Sequence, residues 1–265
     1  MKVDMNQLKK LRDMTLAPMK DCKNALVDAE WDFDKAQEIL KEKGILKAGK
    51  KADRATNEGL VKFVTQNGVT AGVKLLCETD FVAKNEVFHT LLDTILSKLI
   101  ASGQLIENKD SMDESLLTEL NTMVAEFVGK MGENVQLGEV FTTKNNVFAY
   151  NHPGNKVASL IFYTGDDESV AKEVALQVAA MNPKYLSVQE VPEDLYKEMH
   201  DRFYEELVES GKPANIVEQI LEWKMHKAFS EFVLLEQEYI RDGSKSIKDI
   251  LPDGFVVSRY MRFSI

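Results

Sequence analysis

The spacing of hydrophobic residues changes near Gly59, and this change divides the sequence into a helical part and a part that contains strands. Before Gly59, apolar residues recur every three or four positions, which is the period of amphipathic helices. After it, two β-prone segments, residues 60–65 and 69–77, flank Asn67-Gly68, the strongest short signal for a hairpin. The sequence therefore predicts an N-terminal helical unit followed by an α+β region.

The helical part predicts a compact unit of three helices. Leu8 and Leu11 mark the apolar face of the first helix, and Pro18 suits the first turn of the second, where a missing N–H costs nothing. Gly44 is expected to end the third helix. Residues 47–54 form a basic stretch that we interpret as a helical extension or connector; the alternative is a phosphate-binding segment.

A hairpin followed by a helix occurs twice in the α+β region, which predicts two similar subdomains with antiparallel sheets. Two long helical segments then predict an antiparallel helical hairpin. After this hairpin we expect a short helix and a last strand that rejoins the second sheet. The second copy has predicted strands at residues 135–143, 147–150 and 157–163, hairpin arms at 194–209 and 214–232, a short helix at 244–251 and a last strand at 255–265.

These patterns predict three blocks along the chain. The first is a helical domain with its linker over residues 1–54, and the second is an α+β subdomain over residues 55–134. The third is an α+β subdomain over residues 135–265 that includes the helical hairpin at residues 193–232. The expected fold class is α+β.

Composition argues against several classes of function. The chain has 33 Lys and Arg against 43 Asp and Glu, a net charge of −10, so it lacks the positive charge of a typical nucleic-acid binder. No apolar run approaches the roughly 20 residues that span a bilayer. The first residues resemble neither a signal peptide nor a transit peptide. We therefore expect a cytoplasmic protein that binds neither membranes nor nucleic acid directly.

The sequence lacks the motifs of common nucleotide-dependent and metal-dependent enzymes. It contains no phosphate-binding loop and no dinucleotide-binding glycine motif. The four histidines are scattered, and the surroundings of Cys22 and Cys77 give no metal-ligand spacing. Cys77 is interpreted as a buried strand cysteine. We expect no cofactor, no metal and no enzyme activity; a catalytic triad assembled in space is the weakest alternative.

One segment, residues 77–85, joins a predicted strand to a predicted helix and allows two interpretations. In the first, Thr79, Asp80 or Asn85 caps a helix and Phe81 is a core aromatic. In the second, Asp80 and Phe81 form a binding hot spot, in which the ring enters a partner's pocket and the carboxylate fixes its register. Residue types alone favour the first interpretation.

Several motifs resemble signatures of the bacterial elongation factor Ts family. Residues 78–85 resemble its Thr-Asp-Phe-Val signature, and residues 11–26 resemble its first signature. The order and spacing of the matches cover nearly the whole chain. Further matching segments are residues 44–51, 132–134, 178–180 with Pro183, and 210–213.

This resemblance implies a guanine nucleotide exchange factor for elongation factor Tu, the GTPase that delivers aminoacyl-tRNA. It implies an N-terminal domain of the ubiquitin-associated type and a helical hairpin that projects from the second subdomain. It also implies that the turn formed by Thr79, Asp80, Phe81 and Val82 reaches the GTPase domain. There Phe81 would wedge between partner helices with Asp80 orienting the contact, the Mg²⁺ and phosphate environment would be disturbed, and GDP would leave. Such a factor needs no nucleotide or metal site of its own.

The resemblance implies further partner contacts outside this turn. Arg12, Met19 and Lys23 would dock the N-terminal domain, although solvated charges and a core methionine are the alternatives. Met131 and Gln177 would make weaker contacts with the GTPase. The helical hairpin could also join two copies of the chain into a homodimer.

The sequence departs from the family pattern at several positions. Leu16 and Pro18 stand where glycines are usual, Lys20 replaces a methionine, and Gln177 replaces a histidine that contacts the partner's third domain. We expect the chain, which ends at Ile265, to lack the C-terminal helical module of longer members. The competing hypothesis is an interaction module of the ubiquitin-associated type on a scaffold without exchange activity. The Thr-Asp-Phe-Val turn favours the exchange factor, because a scaffold has no need of it.

Overall fold

The structure, a computed structural model, describes residues 4–15, 17–211 and 213–265, apart from the side chains of residues 45–48, 214 and 215. Leu16, one of the departures from the family pattern, lies outside the described residues. The helices are α1 (Met5–Thr15), α2 (Met19–Asp28), α3 (Phe33–Gly49), α4 (Asp80–Ala83), α5 (Glu86–Ser102), α6 (Glu114–Met131), α7 (Glu168–Met181), α8 (Glu193–Glu209), α9 (Ala214–Phe229) and α10 (Ile247–Ile250). The strands are β1 (Glu58–Gln66), β2 (Val69–Cys77), β3 (Val135–Thr143), β4 (Val147–Asn151), β5 (Val157–Thr164), β6 (Glu238–Tyr239), β7 (Asp242–Ser246) and β8 (Val256–Ser264).

The first three helices pack around a small apolar core, as the sequence predicts. Leu11, Cys22 and Leu26 are fully buried in it. Pro18 precedes α2, and its carbonyl accepts the N–H of Cys22 at 3.0 Å. The prediction of an N-terminal three-helix unit is therefore confirmed.

Gly44 does not end the third helix, and the prediction that it would is wrong. Helix α3 continues to Gly49, so the basic stretch begins as a helical extension. A Cβ added at Gly129 of α6 would lie 2.4 Å from the Cα of Gly44, so the two helices cross with their backbones almost in contact. The missing side chain at position 44 therefore allows close packing rather than termination.

The first sheet has the strand order β1-β2-β3, with both pairs antiparallel. The predicted hairpin is present, and Asn67 and Gly68 have φ values of 53° and 73°, as two-residue hairpin turns require. The sequence pattern places strand β3 in the second subdomain. In the structure, β3 pairs with β2 of the first sheet. The reason is that Val135, Leu137 and Val140 are buried in the same core as β2, α5 and α6.

The second sheet has the order β4-β5-β8, so the last strand does rejoin the second sheet as predicted. Helix α7 contributes Val174 and Val178 to the core beside it. The predicted helix over residues 244–251 is wrong in its first half, where β7 pairs with β6. Ser246 and Asp249 form a capping box, which makes Ser246 the N-cap and starts α10 only at Ile247.

Helices α8 and α9 form the predicted antiparallel helical hairpin. Met199 and Leu207 of α8 share a buried cluster with Val217 and Leu221 of α9. Across the described ranges, 4–15, 17–211 and 213–265, none of the helices combines the length and the apolar character that a membrane span requires. The α+β fold class with a three-helix N-terminal unit is confirmed.

The chain forms two compact units, which we describe separately. The first contains residues up to 144 with the short segments 153–157 and 263–265, and the second contains 145–152 and 158–262. In the first unit, Phe263 stacks on Phe63 with ring centroids 4.8 Å apart. The predicted domain bounds at residues 54 and 134 stay a prediction, because contacts in a folded chain do not test which segments fold alone.

Candidate partner-binding site

The segment between β2 and α5 contains the four-residue helix α4. Thr79 is its N-cap, and the hydroxyl oxygen accepts the N–H of Val82 at 3.4 Å. Asn85 caps the next helix, α5, by accepting the N–H of Val87 at 2.9 Å. The expectation of helix caps in this segment is therefore confirmed.

Phe81 lies on the outer face of α4 and is 81% exposed. The next two residues, Val82 and Ala83, are buried in the core of the first unit. The turn is thus anchored by Val82 and Ala83 while the phenyl ring stands in solvent. The interpretation of Phe81 as a core aromatic is wrong, because most of the side chain is accessible to solvent.

Asp80 stands beside Phe81 and pairs with Lys84 one turn later, with 2.6 Å between Oδ2 and Nζ. This hydrogen-bonded ion pair lowers the pKa of Asp80 below its ordinary value and raises the pKa of Lys84. The Lys84 side chain is 75% exposed and the Asp80 side chain is 44% exposed, so solvent screens the pair. The carboxylate is therefore ionised at neutral pH and is accessible beside the ring.

Two side chains fix the start of the turn to residues 133 and 134. The Thr79 hydroxyl donates to the carboxylate of Glu133, with both oxygens at 3.0 Å. The Glu78 carboxylate accepts the backbone N–H of Asn134 at 2.6 Å, and this bond lowers the pKa of Glu78. Arg54 lies 3.4 Å from the same Glu78 oxygen. We call Glu78, Thr79, Glu133 and Asn134 the clasp.

The connector from the N-terminal helices also ends at the clasp. The Asn134 side chain is 2% exposed and donates to the carbonyls of Arg54 at 2.7 Å and Ala52 at 3.3 Å. The Lys51 ammonium donates to the carbonyl of Gly132. Segments 51–54, 78–83 and 132–134 are thus joined by side-chain hydrogen bonds, which gives the exposed ring a fixed base.

Cys77 lies at the end of β2, directly before this turn. Its thiol is buried and donates to the carbonyl of Thr79 at 3.2 Å, and burial raises the pKa of Cys77 to about 11. The thiol is therefore protonated at neutral pH and is a poor nucleophile. The interpretation of Cys77 as a buried strand cysteine is confirmed. In the part of the chain that the structure describes, three or more potential metal ligands nowhere cluster together.

Comparison with known proteins gives one consistent result. The sequence model of the family described as Elongation factor TS matches residues 78–265. A protein named elongation factor Ts from Hydrogenobaculum sp. (strain Y04AAS1) is 39% identical over 272 residues, covering 100% of this chain and 99% of the relative. Its counterpart from Deinococcus deserti is 40% identical, covering 98% and 99%. The chain belongs to the elongation factor Ts family. The name of this family places its members in the elongation step of protein synthesis.

All four clasp residues lie within the part of the chain that matches the elongation factor Ts model, which begins at Glu78. Of the four clasp residues, only Thr79 was predicted as a site residue. Residues 132–134 matched the family pattern without an assigned role, and that match was the only sequence signal for Glu133 and Asn134.

The other predicted contacts of an elongation factor Ts protein are spread over the chain. Arg12 and Lys23 are exposed on α1 and α2, and Met19 at the start of α2 is 36% exposed. Met131 is half-buried against the core of the first unit, directly before the clasp. These side chains remain accessible, and their predicted contacts stay predictions.

Gln177 is fully buried in the second unit. Its amide nitrogen donates to the carbonyl of Glu238 at 3.0 Å and to the side-chain oxygen of Gln237 at 3.2 Å. Its oxygen accepts the N–H of Ile240 at 3.0 Å. The side chain fixes β6 and its turn to α7 and is fully buried, so it presents no surface to a partner.

Proposed function

We propose that this protein is a guanine nucleotide exchange factor for elongation factor Tu, and that Phe81 promotes release of GDP from that GTPase. Membership of the elongation factor Ts family supports the partner and the class of activity. The observation that carries the proposal is the tethered turn, which holds a phenyl ring 81% exposed beside an ionised carboxylate. The protein itself performs no chemical reaction in this proposal.

The exposed ring supplies binding free energy that is available only in the complex. Burying a Phe side chain in an apolar pocket yields about 2 kcal/mol relative to leaving it in water. Because the clasp already fixes the turn, little conformational entropy is lost when the ring enters a partner. Phe81 therefore has the properties of a preorganised hot spot.

Asp80 is proposed to orient this contact. In the free protein its carboxylate is bonded to Lys84, whose side chain is itself largely exposed. A donor on the partner can replace Lys84 at small cost, because exposed ion pairs contribute only about 0–1 kcal/mol. The pair thus holds the ionised carboxylate beside the ring until the partner binds.

The exchange follows from linkage between two ligands of the same GTPase. A factor that binds the nucleotide-free form more tightly than the GDP form must weaken GDP binding by the same factor. A ten-thousandfold weakening requires a difference of about 5.5 kcal/mol in binding free energy. Phe81 supplies part of this difference by disturbing the partner's Mg²⁺ and phosphate site. By the same reciprocity, nucleotide with Mg²⁺ releases the factor.

The experiment that tests this proposal measures the release of a fluorescent GDP analogue from elongation factor Tu. Wild-type protein should accelerate release strongly, and Phe81→Ala should lose most of that acceleration. Leu105→Ala is the matched control, because Leu105 is another large apolar side chain of the first unit and is 63% exposed. Acceleration that Phe81→Ala leaves intact would keep the function and exclude the wedge. If wild-type protein bound elongation factor Tu without accelerating GDP release, the hypothesis of an interaction module on a scaffold would be favoured.

The N-terminal docking surface is expected to affect a different parameter of the GDP-release assay. Arg12, Met19 and Lys23 lie on α1 and α2 and are accessible to a partner. We expect an Arg12→Ala, Lys23→Ala double variant to need more protein for half-maximal release while the maximal rate stays close to wild type. A lower maximal rate with unchanged half-saturation would contradict a docking role.

A further inference from the structure

The conformation of α4 depends on contacts outside the helix itself. Four residues are far too few for a helix to be stable alone, because the first turn loses more conformational entropy than its hydrogen bond offsets. Phe81 cannot fix its own direction either, since most of its surface is in solvent. The direction of the ring is therefore set by the buried anchors Val82 and Ala83 and by the N-cap residue, Thr79.

The Thr79 hydroxyl has one proton, and the structure directs it to Glu133. Both carboxylate oxygens lie 3.0 Å from Oγ1. With the proton committed there, a lone pair of the same oxygen faces the N–H of Val82 and caps α4. A hydrogen bond to an ionised acceptor is stronger than a neutral one, so Glu133 holds the hydroxyl in its capping orientation.

We propose that Glu133 is a positioning residue for Phe81, which acts through the Thr79 hydroxyl to hold α4 in the conformation that presents the ring. This inference rests on the proposed exchange function and deepens it. Glu133 is 54 residues away from Thr79 in sequence and belongs to the loop after α6. The partner-binding turn is thus controlled from a different element of the first unit.

The bond between Glu78 and Asn134 makes it possible to distinguish an effect of Glu133 on α4 from an effect on folding. Glu78 accepts the backbone N–H of Asn134, and the Asn134 side-chain amide donates to the carbonyls of Arg54 and Ala52. These bonds do not involve the Glu133 carboxylate. Removal of that carboxylate should therefore loosen the α4 cap without unfolding segments 51–54 or 132–134.

The first test is a double-mutant cycle in the release of fluorescent GDP analogue from elongation factor Tu. We expect Glu133→Ala to lower the maximal release rate about tenfold, which corresponds to one strong hydrogen bond. Glu133→Gln keeps an acceptor for the Thr79 hydroxyl and should recover most of the rate. In a Phe81→Ala background, Glu133→Ala should have almost no further effect, because Glu133 acts through the ring. An equal tenfold loss in both backgrounds would overturn the proposal.

The second test needs no partner and therefore separates this inference from the proposed function. Amide hydrogen exchange of the free protein should become faster at Val82, Ala83 and Lys84 in Glu133→Ala, while the amides of α5 keep their protection. Glu133→Gln should restore the protection, and thermal unfolding should show that both variants are folded. Unchanged exchange at these three amides would overturn the positioning role, even if wild-type protein accelerates GDP release. A different outcome would reject only the nucleotide-exchange function. In that outcome, wild-type protein does not accelerate GDP release, but amide hydrogen exchange at these three residues is faster in Glu133→Ala.

Discussion

Two strand-to-helix connections, one in each α+β subdomain, both follow a β-hairpin and are built differently. The connection from β2 to α5 is eight residues long, 78–85, and contains α4 with its exposed phenyl ring. The connection from β5 to α7 is three residues long, 165–167, and leads directly into the helix. The second shows that three residues are enough to join a strand to a helix in this arrangement. The extra residues of the first form α4, in which Val82 and Ala83 are buried and Phe81 is exposed. Exposed side chains on connections are frequent binding positions.

The forces that hold the two connections differ as well. The first depends on the clasp, in which Thr79 is bonded to a carboxylate 54 residues away. The second is closed locally, because the Asp167 carboxylate accepts the N–H groups of Ser169 and Val170. Gly165 has a φ of 116°, where a Cβ would lie 3.0 Å from the ring of Phe255. The comparison predicts that substitutions in the first connection change function and those in the second change stability.

The largest expected effect is that of Phe81→Ala on GDP release. Loss of a hot-spot ring should reduce the acceleration about thirtyfold or more, which corresponds to about 2 kcal/mol. The free energy of unfolding should change by less than about 0.5 kcal/mol, because the ring has few contacts to lose. Release assays and denaturant unfolding on the same preparations test both statements. A substantial loss of stability would remove the distinction between the two connections.

Gly165→Ala should show the opposite behaviour. The positive φ and the close approach of Phe255 should lower the free energy of unfolding by about 1–2 kcal/mol. The maximal rate of GDP release should be unchanged at temperatures where the variant is folded. Gly254→Ala separates strain from crowding, because Gly254 also has a positive φ but a Cβ there would meet nothing within 4 Å. A loss in Gly165→Ala no greater than in Gly254→Ala would exclude a role for Phe255.

Asp167→Ala should have a smaller effect on stability. The substitution removes the acceptor for the N–H groups of Ser169 and Val170, so the melting temperature should fall by a few degrees. The adjacent exposed residue provides the control, Asp166→Ala, which leaves these bonds in place. GDP release should match wild type for both variants. If Asp167→Ala impaired release more than it impaired stability, the second connection would have a functional role after all.

The smallest expected effect distinguishes the two aspartates by their response to salt. Both have a pKa below the ordinary value, Asp80 because of Lys84 and Asp167 because of the Ser169 hydroxyl. Each carboxylate therefore contributes stability above its unfolded pKa, and this contribution is lost as pH falls through the folded pKa. Raising salt to about 1 M should screen Lys84 and move the pKa of Asp80 up towards its ordinary value, whereas Asp167 should respond less. Carbon-13 NMR titration of the two carboxyl groups measures this, and equal shifts would contradict it.

The sequence predicts those features of the fold and site that depend on neighbouring residues. Asn67 and Gly68 form a hairpin because both adopt a positive φ within two residues. Thr79 and Asn85 cap helices because each side chain bonds to an N–H two or three positions later. Such bonds are encoded by residue type and short spacing alone.

Features that depend on distant residues were not predictable in this way. A glycine at the end of an apolar period usually indicates a helix terminus, but Gly44 lies inside α3, where its backbone packs closely against Gly129 of α6. The burial of Gln177 depends on acceptors and donors about 60 residues away. The bond between Thr79 and Glu133 spans a similar distance. Partners at such separations are fixed by tertiary packing, which one sequence does not reveal.

The stacking of Phe263 on Phe63 has a consequence for the order of folding during synthesis. Phe263 belongs to the first unit, yet it follows the entire sequence of the second unit along the chain. A ribosome must therefore synthesise the second unit before Phe263 is available to pack on Phe63 of β1. Until then Phe63 and its neighbours on β1 expose apolar surface, a situation that favours binding by chaperones or association between nascent chains. The first unit begins to form first and is completed last.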